Sequence, residues 1–116
     1  MTQPFIIPFQ TTDWSTIPIT EHPGETGKAF WQTLQFEGFR IRMVEYTPGY
    51  KADYWGEKGR IISCVSGEMT SELGDKRAFV LKQGMTYVVT DEASSHRSTT
   101  DGGAKLFIID GDFLKK

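Results

Sequence analysis

Wherever apolar and polar positions alternate regularly along this chain, they do so with a period near two. The clearest case is FRIRMVEY at 39–46, where Arg40, Arg42, Val44 and Tyr46 alternate with Ile41, Met43 and Glu45. Successive side chains of a strand point to opposite faces, so this pattern predicts a strand with two distinct sides. Ala29 to Phe36 is a second such run. RIISCVSGEMTSEL predicts a strand into Gly67 and another out of it, and LGDKR at 73–77 predicts the hairpin loop that follows. AFVL, MTYVVT and AKLFIID are further strands, with the polar stretch DEASSHRSTTDGG between the last two. TPG at 47–49 has its proline and glycine where a turn needs them. No run is long enough, or periodic enough at 3.6, to require a helix. Many short strands joined by glycine-centred turns predict an all-β sandwich or closed barrel, which also removes exposed strand edges.

Residues 1–28 follow no such pattern. Prolines at 4, 8, 18 and 23 break them up. They are expected to form an irregular N-terminal arm, pinned by Trp14, Ile17 and Ile19 onto a barrel spanning 29–116. GETGK at 24–28 invites comparison with a phosphate-binding loop. The leading glycine is missing, however, and Ala29 stands where a serine or threonine would hold magnesium, so a turn is the better account.

At 116 residues the chain has room for one hydrophobic core. A net charge of -2, with both signs spread along the sequence, gives no footprint for nucleic acid or an acidic membrane surface. Cys64 is the single cysteine, which rules out an intramolecular disulfide and suits a reducing compartment. MTQPFIIPFQ lacks a basic leader and is interrupted by Pro4 and Pro8, so it reads as neither signal peptide nor membrane span. A cytoplasmic protein is expected, with no nucleic-acid or membrane partner.

The segments PGY, DYWGEKGRIISCVSGE, LKQGMTYVVTDEASSHRS and GAKLFIID, in that order and spacing, resemble the two motifs of the cupin superfamily. More narrowly they are similar to the short single-domain cupins named for an Asp-His-Cys-Trp motif. The resemblance covers about residues 29–110 and implies a double-stranded β-helix, a barrel of the jelly-roll type. In metal-bearing cupins the first motif supplies three inward-pointing ligands and the second a histidine. Counting back from Gly67, those positions fall on Tyr54, Gly56 and Arg60, and the fourth falls on His96. A slip of one residue would bring in Asp53 and Trp55. Asp91 and Ala93 also stand near positions where the family prefers proline and glycine. Glycine has no side chain, arginine stays cationic with no lone pair to give, and tyrosine ligates metals only occasionally. The expectation is therefore a degenerate site, with no metal and no cofactor.

On a strand from Gly59 to Ser66 the alternation would put Arg60, Ile62 and Cys64 inward with Tyr54, and Ile61, Ser63 and Val65 outward. Tyr54, Arg60 and His96 together suit a small polar or anionic ligand, the guanidinium forking onto a carboxylate or phosphate while the phenol and imidazole fix orientation. The competing structural account pairs Arg60 with Glu68 or Glu72 and makes His96 a hydrogen-bonded residue of the frame. Cys64 reads as a small buried hydrophobe, and Tyr87 and Phe107 read as core. Trp55 fits core, pocket rim or subunit interface equally. Two enzymatic alternatives stand beside binding. One is a metal-dependent cupin enzyme of dioxygenase or isomerase type, its ligands elsewhere. The other is a metal-free isomerase or epimerase with His96 and Tyr54 as base and acid and Arg60 stabilising an enolate-like charge. The apolar residues on both faces of KLFIID require a cover beyond the barrel interior, either a second subunit in a homodimer or the arm.

Overall fold

A computed structural model describes residues 6–115. Its eight strands are β1 (Thr20–Pro23), β2 (Lys28–Phe36), β3 (Phe39–Tyr46), β4 (Arg60–Leu73), β5 (Ala78–Lys82), β6 (Thr86–Val89), β7 (His96–Thr99) and β8 (Ala104–Gly111), and the only helical pieces among these residues are two short 3-10 turns. The all-β expectation holds.

β4 organises the molecule. Its first half pairs with β6 on one side and β8 on the other. Its second half pairs with β5 and β7. One strand therefore belongs to two sheets. The first sheet runs β1-β2-β3-β8-β4-β6, and the second is β5-β4-β7, extended by the bridges Lys51↔Thr99 and Gly56↔His96 to the loop between β3 and β4. The two strands expected on either side of Gly67 are thus one strand with an irregularity between Cys64 and Ser66. Gly67 has φ 74°, and a side chain there would run into the carbonyl of Gly103. Glycine is the residue that tolerates both conditions at the point where the strand leaves one sheet for the other.

Alternation decides which side chains fill the barrel. Ile62 and Cys64 of β4, Leu106 and Ile108 of β8, and Val44 and Tyr46 of β3 are all buried and belong to one core cluster. Burying each of the larger ones is worth roughly 1.5–3 kcal/mol. On β3 the inward set is Arg42, Val44 and Tyr46, so a buried arginine continues the apolar face.

Tyr87 packs against this core from a half-buried position. Phe107 departs from expectation: it alternates with the buried Leu106 and Ile108, is half-buried on the outer side of β8, and meets Trp14 edge-on at 6.3 Å. At that residue the arm supplies cover. Gln32 holds it there by donating to the carbonyls of Trp14 (2.6 Å) and Ile17 (3.0 Å). The arm is also less irregular than its prolines suggest. Trp14–Thr16 form a 3-10 turn capped by Asp13, and Thr20–Pro23 pair with β2 as an edge strand. Its first five residues lie outside the described part.

β7 lies inside the stretch that carries no apolar pattern. His96 and Ser98 are buried, Arg97 and Thr99 half-buried. The period of two is present, but its inward members are polar because they face a cavity.

Candidate functional site

That cavity, about 230 Å³, lies in the barrel mouth and is lined by residues of both sheets. Trp31 comes from β2, Arg40 and Arg42 from β3, Arg60 from β4, His96 and Ser98 from β7, Asp110 from β8, and Tyr54 and Gly56 from the loop before β4. The three side chains singled out in the sequence, Tyr54, Arg60 and His96, therefore border one space. A wider cleft of about 470 Å³ crosses the surface near Gln35, Gly38 and Lys115. The buried charged side chain Arg42 faces the smaller one.

Arg60 is held by neutral groups. Its Nε donates to the Tyr87 hydroxyl at 2.7 Å and a terminal nitrogen to Ser98 Oγ at 3.3 Å. The expected pairing with Glu68 or Glu72 does not occur. Glu72 instead accepts from Arg97, directly across from it on β7, at 3.0 Å. The reason is reach: Glu68 and Glu72 lie 8 and 12 residues further along an extended strand, so at ~3.3 Å per residue even the nearer backbone is about 26 Å away. Burial works against the charge on Arg60, but the Tyr87 phenol, with Tyr46 and Tyr54, outweighs it and leaves the guanidinium above its ordinary pKa. The same burial raises the Tyr87 phenol, with Arg60 opposing the rise.

His96 is 5% exposed, and its Nε2 lies 3.1 Å from the carbonyl of Lys58. In the neutral imidazole that nitrogen is the donor. Burial first, and then the charge on Arg60, push the His96 pKa below its usual value, with the Lys58 carbonyl acting the other way. The ring packs against Gly56, where an added Cβ would stand 3.0 Å from His96 Cε1. Because the folded pKa is depressed, the unfolded chain binds the proton more readily. Stability is then complete above the unfolded value of 6.5 and falls as pH drops below it. Thermal unfolding between neutrality and mild acid should accordingly show a steeper loss of Tm for the native protein than for His96→Gln. Parallel curves would remove this role.

Tyr54, 55% exposed, sits at the rim and not in the interior. Trp55 is exposed and lies beside Arg97, whose guanidinium carbon is 4.7 Å from its ring centroid. Cys64 is buried with its thiol on the carbonyls of Ser66 and Gly67, and burial raises its pKa, as suits a hydrophobe and not a nucleophile.

A second cluster, to which no sequence motif points, borders the same cavity. Arg40 Nε donates to both carboxylate oxygens of Asp110, at 3.0 and 3.1 Å. Arg42 lies deeper: its side chain is 6% exposed, its terminal nitrogen is 3.6 Å from Asp110, and its Nε has no hydrogen-bond partner among the described residues. Its guanidinium carbon lies 4.5 Å from the Trp31 ring centroid, and Trp31 in turn stacks on His22 at 3.7 Å. Burial, then the charge of Arg40, lower the Arg42 pKa to about 10, Asp110 opposing them and Arg60 adding to them. The signal for this cluster was the pair of arginines two apart on a strand otherwise apolar on that face.

These residues do not fit a divalent metal ion. At the four family positions stand a rim phenol, a glycine, a cation and an imidazole that already contacts a carbonyl. Among the described residues no group of three or more His, Cys, Asp or Glu is gathered for one ion. Four guanidiniums, those of Arg40, Arg42, Arg60 and Arg97, line the same space, and a dication would meet repulsion there.

No family model matches the chain, and no characterised protein matches it in sequence. Solved structures do. An RmlC-like cupin from Shewanella frigidimarina superposes with a TM-score of 0.71 at 17% identity, over 86% of this chain and 87% of its own. A sugar phosphate isomerase of the cupin superfamily from Silicibacter pomeroyi gives 0.69 at 14% identity, over 89% and 76%. A cupin-like protein from Thermotoga maritima gives 0.65 at 19% identity, over 74% and 70%. The similarity extends to the superfamily's architecture and stops short of the narrower Asp-His-Cys-Trp group. A strand shared by two sheets, a cavity in the barrel mouth and these neighbours together give the chain the cupin fold, a single-domain double-stranded β-helix.

Proposed function

We propose that the barrel mouth binds a small anionic molecule without a metal, with Arg60 as its anchor and Tyr54 and His96 setting its orientation. The observation that carries this reading is the environment of Arg60: a guanidinium facing a cavity, with a phenol and a serine hydroxyl as its hydrogen-bond partners and, among the described residues, no carboxylate within ion-pair distance. Hydroxyl partners hold the guanidinium without cancelling its charge, and a ligand carboxylate or phosphate would supply the counter-ion through paired N–H donors. The neutral His96 adds no competing charge near pH 7. One neighbour of the same fold is named as a sugar phosphate isomerase, which is reason to include sugar phosphates among the ligands tried.

Titration of carboxylates and sugar phosphates by calorimetry should show binding to the native protein. A charged hydrogen-bond pair is worth about 1.5–3 kcal/mol, so Arg60→Ala should weaken that binding by roughly 10- to 100-fold. Indistinguishable isotherms for the two proteins would remove this reading.

A further inference from the structure

Most of the charges that face the cavity are matched by one of opposite sign. Arg40 and Asp110 cancel, joined by two hydrogen bonds. Arg97 is matched by Glu72, and at the rim Glu57 and Lys58 are of opposite sign. Tyr46, Tyr50 and Tyr54 bring only rings and hydroxyls to the lining. His96 is kept neutral by burial and by Arg60. Two cations remain. Arg60 rests on Tyr87 and Ser98, while Arg42 rests on the Trp31 face with its Nε unpartnered and Asp110 at a distance too long for a hydrogen bond. β8 lies between the strands that carry them, and Arg42 is level with Ile62, two residues beyond Arg60, so their backbones stand roughly 12 Å apart. Both side chains nonetheless border one space.

Building on the anion-binding reading above, we infer that Arg42 is a second anchor and that the pocket selects dianions over monoanions. A ligand with two negative charges neutralises both cations; one with a single charge leaves a buried guanidinium uncompensated. Size narrows the class. At about 30 Å³ per water, a volume of about 230 Å³ equals roughly eight waters, room for a molecule of similar heavy-atom count. Short dicarboxylates and phosphate monoesters of small polyols meet both conditions, and the shared chemistry is two charges on a compact frame.

The experiment compares pairs that differ by one charge at nearly constant shape: succinate against succinamate, and glycerol phosphate against its monomethyl diester. All four are titrated calorimetrically into the native protein at one pH and low salt. In at least one pair the dianion should bind about tenfold or more tightly than its partner, and the pair that responds tells carboxylate from phosphate. In Arg42→Gln that ratio should fall to about threefold or less, with the monoanion scarcely affected. If dianion and monoanion bind the native protein within about twofold in both pairs, and Arg60→Ala abolishes both, the second anchor is wrong and the anion-binding reading stands. If none of the four binds, both fall. The comparison within the native protein requires no variant to fold.

Discussion

Gly67→Ala should destabilise the protein by about 3 kcal/mol or more, read as a drop in the midpoint of urea unfolding. Two costs combine. The residue has φ 74°, where an L side chain is strained by about 1–3 kcal/mol. The added methyl also overlaps the Gly103 carbonyl, a backbone atom held in place because Ala104 pairs with Gly67 across the sheet. Neither cost relaxes without moving β8, which carries Leu106 and Ile108 into the core. Set against a total stability of ~5–15 kcal/mol for a typical domain, the loss is a large fraction. An unchanged unfolding midpoint would show that β4 can change sheets without a left-handed residue.

Arg42→Met should move stability the other way. Keeping this guanidinium charged at neutral pH, with its pKa lowered to about 10, costs roughly 3 kcal/mol at 1.36 kcal/mol per unit. Methionine fills a similar volume, rests on the same Trp31 face and demands no hydrogen bonds. Asp110 is not orphaned, because Arg40 holds both of its oxygens. Replacing buried charge by apolar side chains gains about 1–4 kcal/mol in favourable cases, and a rise in Tm of several degrees is expected for a chain of this size. The same change should reduce thermal stabilisation by succinate or glycerol phosphate without abolishing it, since Arg60 still holds one charge and a ligand raises Tm only as far as it binds the folded state. A lower Tm would mean that Arg42 earns its place as part of the frame, through a partner other than a ligand.

The contrast between Arg42 and Arg60 shows how far the sequence could be read. β3 spans the predicted residues, because strict alternation sorts side chains into two sets. It does not say which set faces inward. That depends on the strand alongside, and here Val44 and Arg42 pair with Leu106 and Ile108 of β8, more than sixty residues away. Arginines alternating with isoleucine and methionine suit a solvated face just as well, so the two arginines marked a shared face without deciding whether it was buried. Arg60, Tyr54 and His96 were legible only through the resemblance to cupin motifs, which supplied a register against which their departures showed. β7 was not legible, since its inward residues, His96 and Ser98, are polar for the cavity's sake. The pairing of Arg60 with Glu68 or Glu72 failed on distance along the strand, a constraint that the spacing already contained.

One contact outside the cavity also bears on it. His22 belongs to the edge strand β1, lines no part of the pocket, and lies flat on Trp31, the indole beside Arg42. Three flat groups from three successive strands thus form a tower whose outermost storey is the arm. Trimming the chain back past residue 23 would spare every wall residue and still unseat the deepest cation, so the arm is a foundation of the pocket and not merely its wrapping.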